Sequence, residues 1–512
     1  TIELRNEILL NAAGNVSIDG TLTAEDGLAT TRNVGITATG GTVSINDFGS
    51  GTTLGNHYDV AILAANEVNL GGGVGSFGKF QHGLQFLTIN TITNSVNFNA
   101  TSGLSLGGNL SIESSPNVNI SSGATLETEG DLTINSTDIS LGASVTTDSG
   151  TLTLNGTASV TDSIVLDSGS GDLTVTGALL ATTNGTHDVT INSGGTAKIG
   201  GAVGNATAAS DLFFANLTTD AGGTTEFNGN IFAQEQVFED DIVLNQGLST
   251  NLTAGGVNAT FNGNVDAESS DIVLDFTTTA IDGSKWSNLA ELTVNADTGG
   301  TIGLNGTITS SGSQTYNGAV QLDGDTTLIG GFALNLPQGV TGNSKNLVLD
   351  FINQPTSLAG NFTGINDLTS KGDVLISGNI TTSGNQSYDA GVTLDGDTEL
   401  DGNSLSLNGV NGGDNDLVIG FNTTTAINSN WTNIEDFQAE TTVSLTGNFS
   451  TLRQWYQNAV TLLGDTVLSA SGSGYRGVAF DGTIDGRHDL SINADSTASI
   501  NFAKAIFNHH FY

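Results

Sequence analysis

Near-identical short strings recur about every twenty residues in this chain, and few folds accept a sequence that repeats on that beat. The strings GNLSI, GDLTI, GTLTL and GDLTV between residues 108 and 176 put Leu110, Leu132, Leu152 and Leu173 at equivalent positions, 22, 20 and 21 residues apart. Each string alternates apolar and polar residues behind a Gly-containing turn signal, which is strand periodicity. Barrels and sandwiches also turn often, but they do not repeat whole strands at this interval. A coil that lays each strand on its equivalent in the previous coil does. The expected fold is therefore all-β, a parallel β-helix (β-solenoid) with roughly 20–24 residues per coil. Leu132, Leu152 and Leu173 are expected to point inward and stack.

A second, longer beat covers residues 212–468. Tyr316 precedes Val320 and Leu322, Tyr388 precedes Val392 and Leu394, and Tyr456 precedes Val460 and Leu462. A fainter copy places Phe238 before Ile242 and Leu244, so the aromatic positions lie 78, 72 and 68 residues apart. DIVLDF at 271–276, NLVLDF at 346–351 and DLVIGF at 416–421 keep the same beat. Three coils per unit account for it. The valines and leucines are expected in the core, and the three tyrosines are expected to form a structural stack. The chain divides, on this pattern, into less regular coils at 1–211, long-period repeats at 212–468 and terminal coils at 469–512, all in one continuous solenoid.

Composition narrows the chemistry. The 512 residues carry 52 Asp and Glu against 11 Lys and Arg, a formal charge of -41. The basic residues are scattered singly, so no nucleic-acid partner is expected, because phosphate binding needs clustered cations. No apolar run is long enough for a membrane helix, so no membrane span is expected. Zero Cys removes disulfides and thiol sites. Gly-containing turns hold Asp323 and Asp325 in one long repeat and Asp395 and Asp397 in the next, and paired carboxylates at short spacing suit calcium. Calcium is the one candidate cofactor, set against a plain turn between strands. Asp240–Asp241 is the only adjacent Asp pair, has no Lys or Arg near it in sequence, and reads as a solvated turn at a coil edge. His82 reads as a surface-loop residue, and His509–His510 as part of a mobile terminus. No catalytic residues are expected.

The units SGSQTYNGAVQLDGDTTL (311–328), SGNQSYDAGVTLDGDTEL (383–400) and TLRQWYQNAVTLLGDTVL (451–468) resemble the shaft repeats of filamentous-haemagglutinin-type exoproteins, bacterial adhesins exported by two-partner secretion or related routes. The resemblance implies a right-handed β-helix and a secreted or bacterial cell-surface protein: an adhesin shaft or filament-forming subunit that is not an enzyme. Host-surface or matrix glycans are the partners it suggests. The alternative is a β-helix enzyme that degrades polysaccharide. Strand-like sequence at Thr1–Leu4, and again near the other terminus where Ala505–Tyr512 has length for one more rung, leads to the expectation of self-association head-to-tail into filaments.

Overall fold

The computed structural model describes every residue except 1, 5–6, 25–31, 49–57, 72–83, 100–102, 208–209, 245–249, 298, 473, 496–497 and 504–512. Thr1, His82, His509–His510 and Ala505–Tyr512 therefore lie outside the described residues. Among the described residues there is no helix. The chain forms a parallel β-solenoid of about 19 turns with roughly 21 residues each. It divides into two compact units, Thr1–Ser270 and Asp271–Tyr512. That boundary falls inside the long-period stretch 212–468.

In the first unit one inward column runs Val34, Val60, Leu87, Leu110, Leu132, Leu152, Leu173 and Ala197, each in register with the next. All eight side chains are buried. The interval is 26 and 27 residues at the start of this column and 20 to 22 between Leu110 and Leu173. Extra residues are taken up in part by bulges within the strand pairs, while the inward positions of this column stay aligned. The reason is the strand period of two: a one-residue slip would turn a whole apolar set outward.

The Asp or Asn of the turn signal has a defined task. It stands just before an inward residue, and its side-chain oxygen accepts the backbone N–H of its equivalent on the next turn. Asn109 takes Asp131 N–H at 3.0 Å, and Asp131 takes Thr151 N–H at 2.8 Å. In the second unit Asp325, Asn346 and Asp367 receive Asn346, Asp367 and Asn385 in the same way, at 2.9, 3.2 and 2.7 Å. Backbone donors freed at the corners are therefore satisfied from one turn to the next.

In the second unit Val320 lies between Ile302 and Val340, Val392 between Val374 and Val410, and Val460 between Val443 and Ile484. Leu322, Leu394 and Leu462 align with Leu304, Ile376 and Leu445. All six are buried. The three-turn period also marks the corners. Asn288, Gly364 and Asn433 occupy one repeat position with positive φ, and Gly306, Gly378 and Gly447 occupy another a turn later. Asn tolerates this left-handed backbone and Gly adopts it freely, so corners of one shape recur at fixed places in the long repeat.

Leu152→Ala, deep in the first unit's column, is expected to lower stability by about 2–5 kcal/mol through lost burial and a cavity in the stack. Denaturant unfolding followed by circular dichroism checks it. A loss well under 1 kcal/mol would contradict a packed interior at that rung.

Candidate functional site

Asp323, Asp325, Asp395 and Asp397 are all exposed on the second unit. Asp325 and Asp397 take the backbone N–H groups of Asn346 and Asp416, at 2.9 and 3.0 Å, as members of the corner ladder. Asp323 accepts the Gln321 side-chain amide at 3.1 Å. Among the described residues no three His, Asp or Glu side chains converge in the manner of a metal site. The ladder continues from Asp397 to Asp416 and Asp436, and the Arg453 guanidinium pairs with Asp436. Burial, with the Asp436 and Asp397 carboxylates beside it, holds Asp416 above the ordinary carboxylate range.

The tyrosines lie inside. Tyr316, Tyr388 and Tyr456 are buried, but they stand three turns apart and do not stack on one another. Tyr456 instead stacks on Phe480 at 4.9 Å, which stacks on Phe502 at 5.4 Å. Each phenol donates to the carbonyl oxygen of a buried glutamine two residues earlier: Tyr316 to Gln314 at 2.8 Å, Tyr388 to Gln386 at 3.0 Å and Tyr456 to Gln454 at 2.9 Å. Each glutamine amide in turn donates to backbone carbonyls, including Ile329 at 2.8 Å, Asp401 at 2.8 Å and Ser469 at 3.0 Å on the following turn. Burial pushes all three phenols far above their usual range, so they stay protonated donors. In the fainter copy Phe238 has no hydroxyl to give. The Gln236 carbonyl oxygen is buried there with no partner among the described residues.

Asp240 departs from the expected solvated turn. It is 3% exposed and both carboxylate oxygens are engaged, by the Thr219 hydroxyl and, at 2.6 Å, by the Thr225 hydroxyl. Its neighbour Asp241 does face solvent and takes the Asn264 backbone N–H at 2.8 Å. Asp240 keeps the parity of Phe238, Ile242 and Leu244, all buried, so the strand alternation carried through the corner points it inward and its neighbour outward. Burial raises the Asp240 pKa against the opposing effect of the two hydroxyls.

On the second unit a groove of about 850 Å³ crosses successive turns, from Asp414 through Trp431–Glu435 and Asn448–Leu452 to Val467, Ser469 and Asn493. Trp431 is buried in its wall, and its indole N–H has no acceptor among the described residues. Comparison with known proteins finds no matching family, no matching curated protein and no matching solved structure.

Two signals in the sequence point to residues that the strand pattern alone passes over. Gln314, Gln386 and Gln454 each stand two positions before the repeat tyrosine, the offset that puts two side chains on one strand face. Trp286-Ser287-Asn288-Leu289 and Trp431-Thr432-Asn433-Ile434 form a further repeat anchor, with Phe362 at the same position in the middle copy. Both tryptophans and Phe362 are buried.

Two predictions follow from the polar interior. Phe238→Tyr restores the donor that Gln236 lacks and is expected to raise the denaturation midpoint, whereas Tyr388→Phe orphans Gln386 and should cost about 1–3 kcal/mol. Equal effects of the same sign would refute the pairing. For Asp240 the folded-state pKa is raised, so its ionisation opposes folding: the loss of stability builds as the pH rises above the pKa of the unfolded carboxylate and is complete above the folded one. Asp240→Asn removes that penalty, so the melting-temperature difference, variant minus native, is expected to grow from pH 4 to pH 7. A difference that shrinks over that range would contradict a charge held against burial.

Proposed function

We propose that this chain is an extracellular structural and adhesive β-solenoid, a shaft or filament-forming segment of a protein secreted to a bacterial surface. The observation that carries the reading is the uniform interior: in each unit the same few inward positions are filled turn after turn, and corner side chains bond to the turn that follows. Such a stack is suited to rigidity, because each turn is held by parallel ladders on every side. The repeat units quoted above resemble those of filamentous-haemagglutinin-type exoproteins, which supports a surface role. Self-association, head-to-tail into filaments, belongs to the same proposal, since a parallel rung is a template for another strand. Calcium enters it as a bridge between the carboxylates of neighbouring molecules, a charge of -41 otherwise opposing close approach.

The experiment is immunolabelling of intact producing cells together with assays of the purified protein on acidic and neutral polysaccharides. Surface label without turnover is expected. Turnover abolished by replacing a single carboxylate would overturn the shaft in favour of a polysaccharide-degrading enzyme. Light scattering is expected to rise with millimolar calcium relative to sodium chloride of equal ionic strength, and no difference would remove calcium from the account.

A further inference from the structure

We infer that the groove beside Trp431 binds a neutral oligosaccharide lying along the direction in which the turns stack. The inference goes beyond the shaft proposal and does not depend on it.

The lining decides the ligand class. Nine of the sixteen side chains around the groove are uncharged hydroxyls or amides, two are carboxylates, Asp414 and Glu435, and none is a cation. Phosphate, sulfate and uronic acids need a positive partner, and here they would meet only negative charge. A mainly apolar ligand would strand the hydroxyls and amides without partners. A polyhydroxylated neutral chain matches, because each sugar hydroxyl both donates and accepts, as do the Ser and Thr hydroxyls and Asn amides facing it.

The geometry decides its orientation. Ser450, Ser469 and Asn493 stand in register on three consecutive turns, and Asn448 aligns with Val467 beside them. Polar groups thus recur at the turn spacing of about 4.8 Å, a step close to one pyranose unit of an extended glycan. Trp431, 1% exposed, closes the inner wall of the groove, with its ring edge-on to Phe437 and Phe449.

The test is isothermal titration of the whole protein with cellohexaose, laminarihexaose, mannohexaose and maltohexaose, with hexagalacturonate as the acidic counterpart. At least one neutral oligomer is expected to bind with Kd on the order of 1 mM or tighter, and hexagalacturonate is not. Ser450→Trp, which places bulk in the exposed middle of the groove, is expected to weaken binding at least about tenfold, while Ser159→Trp on the first unit leaves it unchanged. If Ser450→Trp does not fold, the milder pair Asn448→Ala with Glu435→Gln is expected to weaken binding several-fold. Binding of no neutral oligomer, equal binding of the acidic one, or affinity indifferent to the groove variants would each overturn the assignment. None of these results would bear on the shaft proposal.

Discussion

Everything in this protein depends on the parallel backbone ladder that joins each turn to the next. A parallel pairing gives a strand one partner before it and one after it, and the pairing is stable only when inward residues stay in phase. The inward side chains are then packed against their equivalents, and burial of each Leu, Ile or Val contributes roughly 1.5–3 kcal/mol. Turn length is free to vary, as the stretch from Val34 to Leu87 shows, provided that the phase is kept. This is why a sequence with few charged residues, 70 glycines and scarcely any proline folds into stacked strands, with no helix among the described residues.

Corners and polar groups are the harder physical problem, because backbone groups that leave the strand ladder at a corner need other partners. Two devices solve it here. Asp and Asn side chains reach one turn along to cap backbone N–H groups, which accounts for the Gly-Asp signal in front of so many strands. Buried Gln–Tyr pairs bridge the interior of each long repeat and tie one turn's side chains to the next turn's carbonyls. Where a device is incomplete the cost is visible. Gln236 lacks its phenol, and Thr279, Thr356 and Thr425, which share one repeat position, keep buried hydroxyls with no partner among the described residues.

The same economy bears on function. The recurring acids around Asp325 and Asp397 serve the corner ladder, and this use explains their repetition without a bound ion. The repeat tyrosines are interior donors and not an exposed stacking surface. On the second unit a groove opens in which neutral polar side chains outnumber charged ones.

The sequence by itself determined the fold class and the inward residues of the clearest coils. Both follow from local period and from identical strings at a fixed interval, and Leu132, Leu152, Leu173, Val392 and Leu394 lie buried where that pattern places them. It also contained the glutamine and tryptophan anchors, legible in the aligned repeats as residues at constant offsets. Only the tertiary structure decided what the corners do. Which hydroxyls Asp240 meets, whether a repeat tyrosine meets its copy or a phenylalanine, and which outward columns open into a groove all depend on contacts between residues about twenty positions apart. Local periodicity gives the side a residue takes, as it does for Asp240 in phase with Phe238 and Ile242, but not the partner it meets there. They are set when successive turns close on one another, and the energy of a buried polar group belongs to the partner it finds there.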